Sequence, residues 1–326
     1  MNELHRFMFE GAPVRGVAVR LEESWREMLA CRASQQAYPP ALAQLLGQMA
    51  AAALLMQSNI KFNGSLILQI MGDGPVKLAV AQAQTDLGFR CTAKFSGSVA
   101  PDTSLADMVN LNGQARCAIT LEPQDRLPGQ QPYQGMVQLP ETRQSNSGLV
   151  LAQVLEHYMQ QSEQLETCLV LAADEQVAAG LLLQRVAHQG GYAAQPQELG
   201  TSTDEDGYQR LAVLTRSLTA TELLRLPTLE VLHRLFWQEK LLRHAPQTGA
   251  SGPHFACNCS RERVASMLRS LGQVEANSIL AEQGDIQVGC DFCGRHYSFD
   301  TVDVAQLFMP DRSMTQGQGG QSGLMH

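Results

Sequence analysis

The feature that most constrains this chain lies near its end. Cys257-Asn258-Cys259 is followed, after 30 intervening residues, by Cys290-Asp291-Phe292-Cys293. Two closely spaced pairs suit a tetrahedral metal, because each short loop supplies two neighbouring corners. Four thiolates point to zinc, with sulfur about 2.3 Å from the ion. Gly294 follows the second pair, where a residue free to take positive φ lets the backbone turn back on the sulfurs. The flanks predict a small folded unit. Ser260 can cap a helix over 261–271, with Val264, Met267, Leu268 and Leu271 on one face. Ile286 and Val288 lead into the second pair, 296–299 reads as a returning strand, and Asp300 can cap a last helix with Asp303 in its first turn. So small a unit has little core, and a metal would supply much of its folding free energy. Arg261, Arg263 and Arg295 sit within four residues of the nearest cysteine. Cations there favour thiolate, the form that oxidants attack. At this point two readings stand: an inert zinc ribbon, and a zinc site that is also a redox site.

Composition limits the partners. The 326 residues carry a net charge of −8, which argues against a general binder of phosphate backbones. The most apolar stretch, 41–56, is short of the roughly 20 residues a membrane-spanning helix needs, and reads as a buried helix. Glu3, His5, Arg6 and Glu10 break up any N-terminal apolar run. A cytoplasmic setting is expected, where thiols stay reduced. The other cysteines, Cys31, Cys91, Cys117 and Cys168, are scattered through the first half and read as small buried hydrophobes.

The expected fold class is α+β, in four parts. Residues 1–190 read as an N-terminal domain with a largely antiparallel sheet and packed helices. Helices are predicted over 21–33, 40–57 and 148–161. Strands are predicted over 14–20, 65–71, 76–84, 89–95, 115–121, 133–139 and 167–173. Gly72-Asp73-Gly74 reads as a turn between two strands, its likeness to a phosphate loop being superficial. Residues 191–253 form a helical linker region, opened by Gly190-Gly191 and a polar run over 201–207 and closed by a Pro/Gly/Ser-rich hinge over 245–253. Two apolar stripes cross it: Leu211, Leu214 and Leu218, then Val231, Leu232, Leu235 and Phe236. Short helices depend on tertiary packing, so these stripes must dock, either permanently or in a way that can be undone. Residues 254–309 form the cysteine module, and 310–326 a Gly/Gln-rich tail expected to be disordered.

Beyond spacing, the residues resemble a known family, the redox-regulated heat shock protein 33 chaperones. Phe255-Ala-Cys257-Asn-Cys259-Ser-Arg-Glu-Arg263 and Cys290-Asp-Phe-Cys293-Gly-Arg-His-Tyr297 look like its two zinc motifs. Tyr133-Gln-Gly-Met-Val137 and the Gln-Ser-Glu-Gln-Leu core within 158–167 resemble its N-terminal signatures, and Ser278–Glu282 its connecting segment. The resemblance covers nearly the whole chain except the tail. It implies a reduced, inactive form holding one Zn²⁺ on Cys257, Cys259, Cys290 and Cys293. On oxidation Cys257 would pair with Cys259 and Cys290 with Cys293, zinc would leave, and the module would unfold. The linker would then lose its dock, uncovering the two apolar stripes. The result would be a non-enzymatic, ATP-independent holdase for unfolding client proteins, a homodimer when oxidised, handing clients to an ATP-dependent foldase. Energetics make this plausible. Structural zinc contributes about 10–16 kcal/mol to small zinc-binding peptides, against about 5–15 kcal/mol for the stability of a whole domain.

Two rivals predict other features. A zinc-ribbon nucleic-acid binder would have a basic module. Residues 254–309 instead carry four arginines (261, 263, 269, 295) against seven carboxylates (262, 275, 282, 285, 291, 300, 303). A thiol–disulfide oxidoreductase would place 290–293 at a helix start in a βαβ context, rather than between predicted strands.

Overall fold

In a computed structural model of the chain, residues 1–33, 36–125, 129–140, 149–186 and 201–309 are described, the side chains of 201–206 excepted. The Gly190-Gly191 boundary and the 310–326 tail lie outside the described residues. In chain order, β1 (Glu3–Phe9) and β2 (Val14–Leu21) lead into α1 (Glu23–Ala33) and α2 (Pro40–Asn59). Next come β3 (Gly64–Met71), β4 (Val76–Gln84), β5 (Gly88–Phe95), α3 (Leu105–Val109), β6 (Arg116–Pro123) and β7 (Tyr133–Gln138). α4 (Leu151–Tyr158) runs on as a π-helical turn over Met159–Glu163 into β8 (Thr167–Ala173) and β9 (Ala178–Arg185). Then follow α5 (Thr201–Arg216), α6 (Ala220–Arg225), α7 (Thr228–Phe236), β10 (Leu241–Arg243), β11 (Gln247–Thr248) and β12 (His254–Phe255). The last elements are α8 (Arg261–Leu271), α9 (Gln273–Gln283), β13 (Ile286–Gly289), β14 (His296–Phe299) and α10 (Thr301–Leu307).

The chain divides into two units. The first comprises Met1–Cys257 with Asp291–Cys293, the second Asn258–Cys290 with the residues from Gly294 onward. The first unit is organised by α2. This helix is apolar on almost every face, and such a helix is stable only when surrounded. It packs against strands of two sheets, one ordered β10-β1-β2-β9-β8 with β11 also on β1, the other β12-β5-β4-β3-β6-β7. It is the one described helix long and apolar enough to cross a membrane, and its side chains are spent on this core instead. Among the described residues all pairings are antiparallel except β12 on β5.

The first sheet is buried on both faces. Along β9, Leu182 joins the core around α2, while Leu181 and Leu183 point to the other side, as the period of two requires. That other side carries Phe7, Phe9 and Val14, and α5–α7 cover it. Both predicted stripes dock there: Leu211, Leu218, Val231, Leu232 and Phe236 are buried, and Leu214 and Leu235 are half-buried against them.

Several expectations are corrected. β1 and β9 are strands that the sequence reading passed over. β9 (Ala-Ala-Gly-Leu-Leu-Leu-Gln-Arg) has little alternation because both its faces are covered. The polar run at 201–207 is the start of α5. The hinge at 245–253 is partly tied down, since Gln247–Thr248 pairs with Glu3–Leu4. At 72–74 the turn holds. The Asp73 carboxylate accepts the Asn112 and Gln114 N–H groups, and a Cβ on Gly74 would lie 2.5 Å from the Met108 carbonyl oxygen.

The second unit has a core of only eight buried residues, from Ala265 and Leu268 through Tyr297 and Phe299 to Val304. Ser260 caps α8 by accepting from the Arg263 N–H, and Asp300 and Asp303 form a capping box on α10. The predicted face of α8 is corrected. Ala265 and Leu268 are its buried residues, while Met267 and Leu271 are about half exposed, so the inward stripe is narrower than the apolar pattern. α9 is a second helix where only a connecting segment was expected.

Candidate metal centre

The second cysteine pair sits on the tight turn between β13 and β14. These strands pair Gly289 with His296 at the base of the turn. The Cys290 N–H donates to the Arg295 carbonyl at 2.9 Å, and the Gly294 N–H returns to the Cys290 carbonyl at 2.8 Å. Gly294 has φ +72°, a conformation that suits glycine. The first pair lies on the extended segment after β12, directly before the Ser260 cap of α8. These two loops bring the Sγ atoms of Cys257, Cys259, Cys290 and Cys293 within 4.8 Å of one another. Sulfurs 2.3 Å from one zinc ion stand roughly 3.8 Å apart at tetrahedral corners. The donor set therefore fits a four-thiolate metal, and all four cysteines are partly exposed. Neither His254 nor His296 belongs to this group; the His254 Nδ1 is 3.1 Å from the Gly252 carbonyl oxygen.

Tyr297 donates its hydroxyl to Cys259 Sγ at 3.2 Å, and that bond, with burial, raises the phenol above its ordinary value. Arg261 is largely committed elsewhere: it reaches the Ser298 carbonyl and Asp303, both at 2.6 Å, and stacks over Phe299. Its expected help to the thiolates is thus indirect, through fixing the strand that carries Tyr297. The turn between β13 and β14 is not a helix start, which removes the geometry an oxidoreductase pair would use.

The sequence did not point to an anchor on β5. Within the first unit, Thr92 Oγ1 donates to the Asp291 carbonyl at 2.7 Å, Arg90 stacks 4.2 Å over the Phe292 ring, and Lys94 lies 3.5 Å from the Asp291 carboxylate. β12, immediately before Cys257, pairs in parallel with Gly88 and Phe89. Both cysteine loops are therefore tied to one strand. The only signal was the polar alternation Arg90, Thr92, Lys94, which marks one face but not its partner.

The linker helices are held by a second set of polar contacts. The Arg20 guanidinium, 12% exposed, donates to the carbonyls of Leu223 (3.1 Å), Leu224 (2.9 Å) and Leu226 (3.3 Å) at the end of α6. Those are the carbonyls a helix leaves without partners. Thr228 at the start of α7 donates to the Glu3 carboxylate at 2.6 Å, and His5 stands 2.9 Å from its other oxygen. The His5 hydrogen bond is the main reason the Glu3 carboxyl falls from 4.5 to about 2. Under α5, the buried Cys168 Sγ lies 3.8 Å from the Ala212 carbonyl oxygen. Cys91 and Cys117 are buried in the core around α2, and Cys31 is partly exposed on α1.

Residues 2–300 match the family model described as Hsp33 protein. The 33 kDa chaperonin of Chromobacterium violaceum is 43% identical over 307 residues, covering 94% of each chain. That of Nitrosococcus oceani is 42% identical with the same coverage. The crystal structure of the 33 kDa chaperonin from Thermotoga maritima superposes with a TM-score of 0.71, covering 94% of this chain and 97% of that one. At 18% identity it speaks for the fold alone.

Proposed function

The chain belongs to the Hsp33 family of chaperones, and from that premise we propose that it is a redox-switched, ATP-independent holdase of the cytoplasm. The observation that carries this reading is the set of four sulfurs within 4.8 Å of one another, two of them in a unit whose core is eight residues. Zn²⁺, when bound, holds the four sulfurs as thiolates and supplies folding free energy that so small a core lacks. Everything else falls to the chain's own residues. Peroxide takes two electrons from each pair of thiolates and is reduced to water. One disulfide closes between Cys257 and Cys259, the other between Cys290 and Cys293. Disulfide sulfurs carry no negative charge and no longer form a four-thiolate donor set. The module then depends on its own burial and unfolds.

Loss of the cysteine loops frees their anchors on β5 and loosens the segment that runs back through β11 and β10 to α7. α6 and α7 are short, and α5–α7 rest on one apolar face, the Arg20 contacts and the Glu3–Thr228 bond. Their release uncovers Leu211, Leu218, Val231, Leu232 and Phe236 together with Phe7 and Phe9 beneath them. A contiguous apolar surface of this kind holds unfolding chains. The oxidised chain is expected to be a homodimer and to pass clients to an ATP-dependent foldase.

The test is suppression of aggregation of a heat-unfolded client, followed by light scattering. Protein oxidised with peroxide and stripped of metal should hold the client in solution. Reduced, zinc-loaded protein should not. Equal activity in the two states would remove the switch from this account.

A further inference from the structure

Tyr297 carries a hydroxyl that its core does not require. β14 alternates exposed His296 and Ser298 with buried Tyr297 and Phe299, the period of two that turns one strand face inward. Tyr297 stands opposite Val288 on β13, and its ring joins the small core of the second unit. Phenylalanine would fill that place as well, as Phe299 does two residues on. A buried tyrosine hydroxyl needs a hydrogen-bond partner, and here the partner is a sulfur: the hydroxyl donates to Cys259 Sγ at 3.2 Å. Both residues belong to the same unit.

The contact is both strengthened and fixed. The Arg295 side chain hydrogen-bonds the same hydroxyl, and a phenol oxygen that accepts from a guanidinium is a better donor in its turn. The strand is held as well: the Arg261 guanidinium donates to the carbonyl of Ser298, next to Tyr297, at 2.6 Å. The hydroxyl lies on the axis of its ring, so a ring flip leaves the oxygen in place. Hydrogen bonds to metal ligands from the surrounding shell orient and tune those ligands. One donated to a thiolate draws on the lone pairs with which sulfur attacks an oxidant.

We propose that Tyr297 is a positioning residue that slows oxidation of the Cys257–Cys259 pair, by holding a lone pair of the Cys259 sulfur in a hydrogen bond. The inference rests on the redox reading above and adds what sets the sensitivity of the switch. Closing the disulfide needs that lone pair whichever cysteine reacts first. In one order the Cys259 thiolate attacks a peroxide oxygen, the O–O bond breaks and hydroxide leaves. The Cys257 thiolate then attacks the resulting sulfenic sulfur, the S–S bond forms, the S–O bond breaks and a second hydroxide leaves. In the other order Cys257 is oxidised by peroxide and the Cys259 thiolate attacks it. Either way one peroxide is reduced by two electrons, and two protons from solvent turn the two hydroxides into water. The Cys259 sulfur is the nucleophile once in each order, and each time the Tyr297 bond must be given up.

The test compares the full, reduced wild-type chain with Tyr297→Phe, which keeps the ring, and with Val288→Ala, which loosens the packing opposite that ring and keeps the hydroxyl. Loaded with Co²⁺, each protein reports on its sulfurs through the thiolate-to-cobalt charge-transfer bands. Losing a hydrogen bond to sulfur should move those bands to lower energy in Tyr297→Phe and leave them in place in Val288→Ala. In zinc-loaded protein treated with peroxide, mass spectrometry of alkylated peptides should show the Cys259 thiol lost about three- to tenfold faster in Tyr297→Phe, the span that one hydrogen bond supplies. Bands that stay in place in Tyr297→Phe, an unchanged rate there, or an equal acceleration in Val288→Ala would overturn the proposal. Aggregation suppression by the oxidised wild-type chain, measured in parallel, tests the holdase reading separately, since neither the bands nor the rate ratio depends on a client.

Discussion

The two halves of this molecule solve the problem of staying folded in opposite ways. Around α2, two sheets bury Trp25, Leu42, Met49, Leu68 and Phe89 completely, and this unit draws its stability from apolar area removed from water. The cysteine module has eight buried residues and leaves Met267, Leu271, Val274 and Val302 exposed. Its cysteines differ in the same sense. Burial pushes the thiols of Cys117 and Cys168 up to about 12 and that of Cys91 higher still, which keeps them protonated and inert. The four clustered sulfurs are partly exposed and within reach of oxidants. The proposed switch uses this contrast: one region is to stay folded whatever the redox state, the other only while its thiolates last.

The largest break in this contrast comes from removing the metal. Chelation of the reduced protein should abolish the amide dispersion of 258–309 in NMR spectra while the core around α2 keeps its melting transition. A single cooperative loss of both would erase the distinction. Next in size is Phe299→Ala, which deletes the largest fully buried side chain of the module. Truncations of this kind cost about 3–5 kcal/mol, a large share of what so small a core can hold, so zinc affinity should fall steeply. The same substitution at exposed Val274 should leave the affinity unchanged.

A smaller effect isolates the linker. Arg20→Ala removes the guanidinium that donates to three carbonyls at the end of α6, and loss of hydrogen bonding by such a charged group costs about 1.5–3 kcal/mol. The expected outcome is partial holdase activity in the reduced, zinc-loaded protein. Cys168 should become alkylatable there, because α5 no longer covers it, while Cys91 and Cys117 stay protected. Smallest is the acid response of the same interface. The Glu3 carboxyl is lowered from 4.5 to about 2, so its contribution to docking is complete above pH 4.5 and is lost as the pH falls toward 2. Hydrogen exchange of α7, corrected for the intrinsic rate at each pH, should rise over that interval in the wild type and much less in Glu3→Gln.

The two regions also differed in how legible they were. The four-cysteine cluster could be read almost entirely from the chain, because Cys-x-Cys, Cys-x-x-Cys, the Ser260 and Asp300 caps and Gly294 are all local signals. The apolar stripes of the linker were legible as stripes, and their dock was not. β1 and β9, which build the covered face, lack the alternation that marks a half-exposed strand. The Arg90, Thr92 and Arg20 contacts join residues roughly 200 positions apart, and no spacing rule reaches that far. The seam of α8 was overestimated because apolar residues at 267 and 271 fit the period but not the width of the core beneath them.

The central claim is that oxidation of four sulfurs undocks a helical segment lying elsewhere on the chain. Hydrogen exchange read by mass spectrometry, with zinc release and thiol count followed in the same samples during peroxide treatment, tests it directly. The account predicts that four thiols and one zinc are lost together, and that 258–309 and α5–α7 gain exchange while α2, β3 and β4 stay protected. Exchange that rises in the module while α5–α7 remain protected would contradict it.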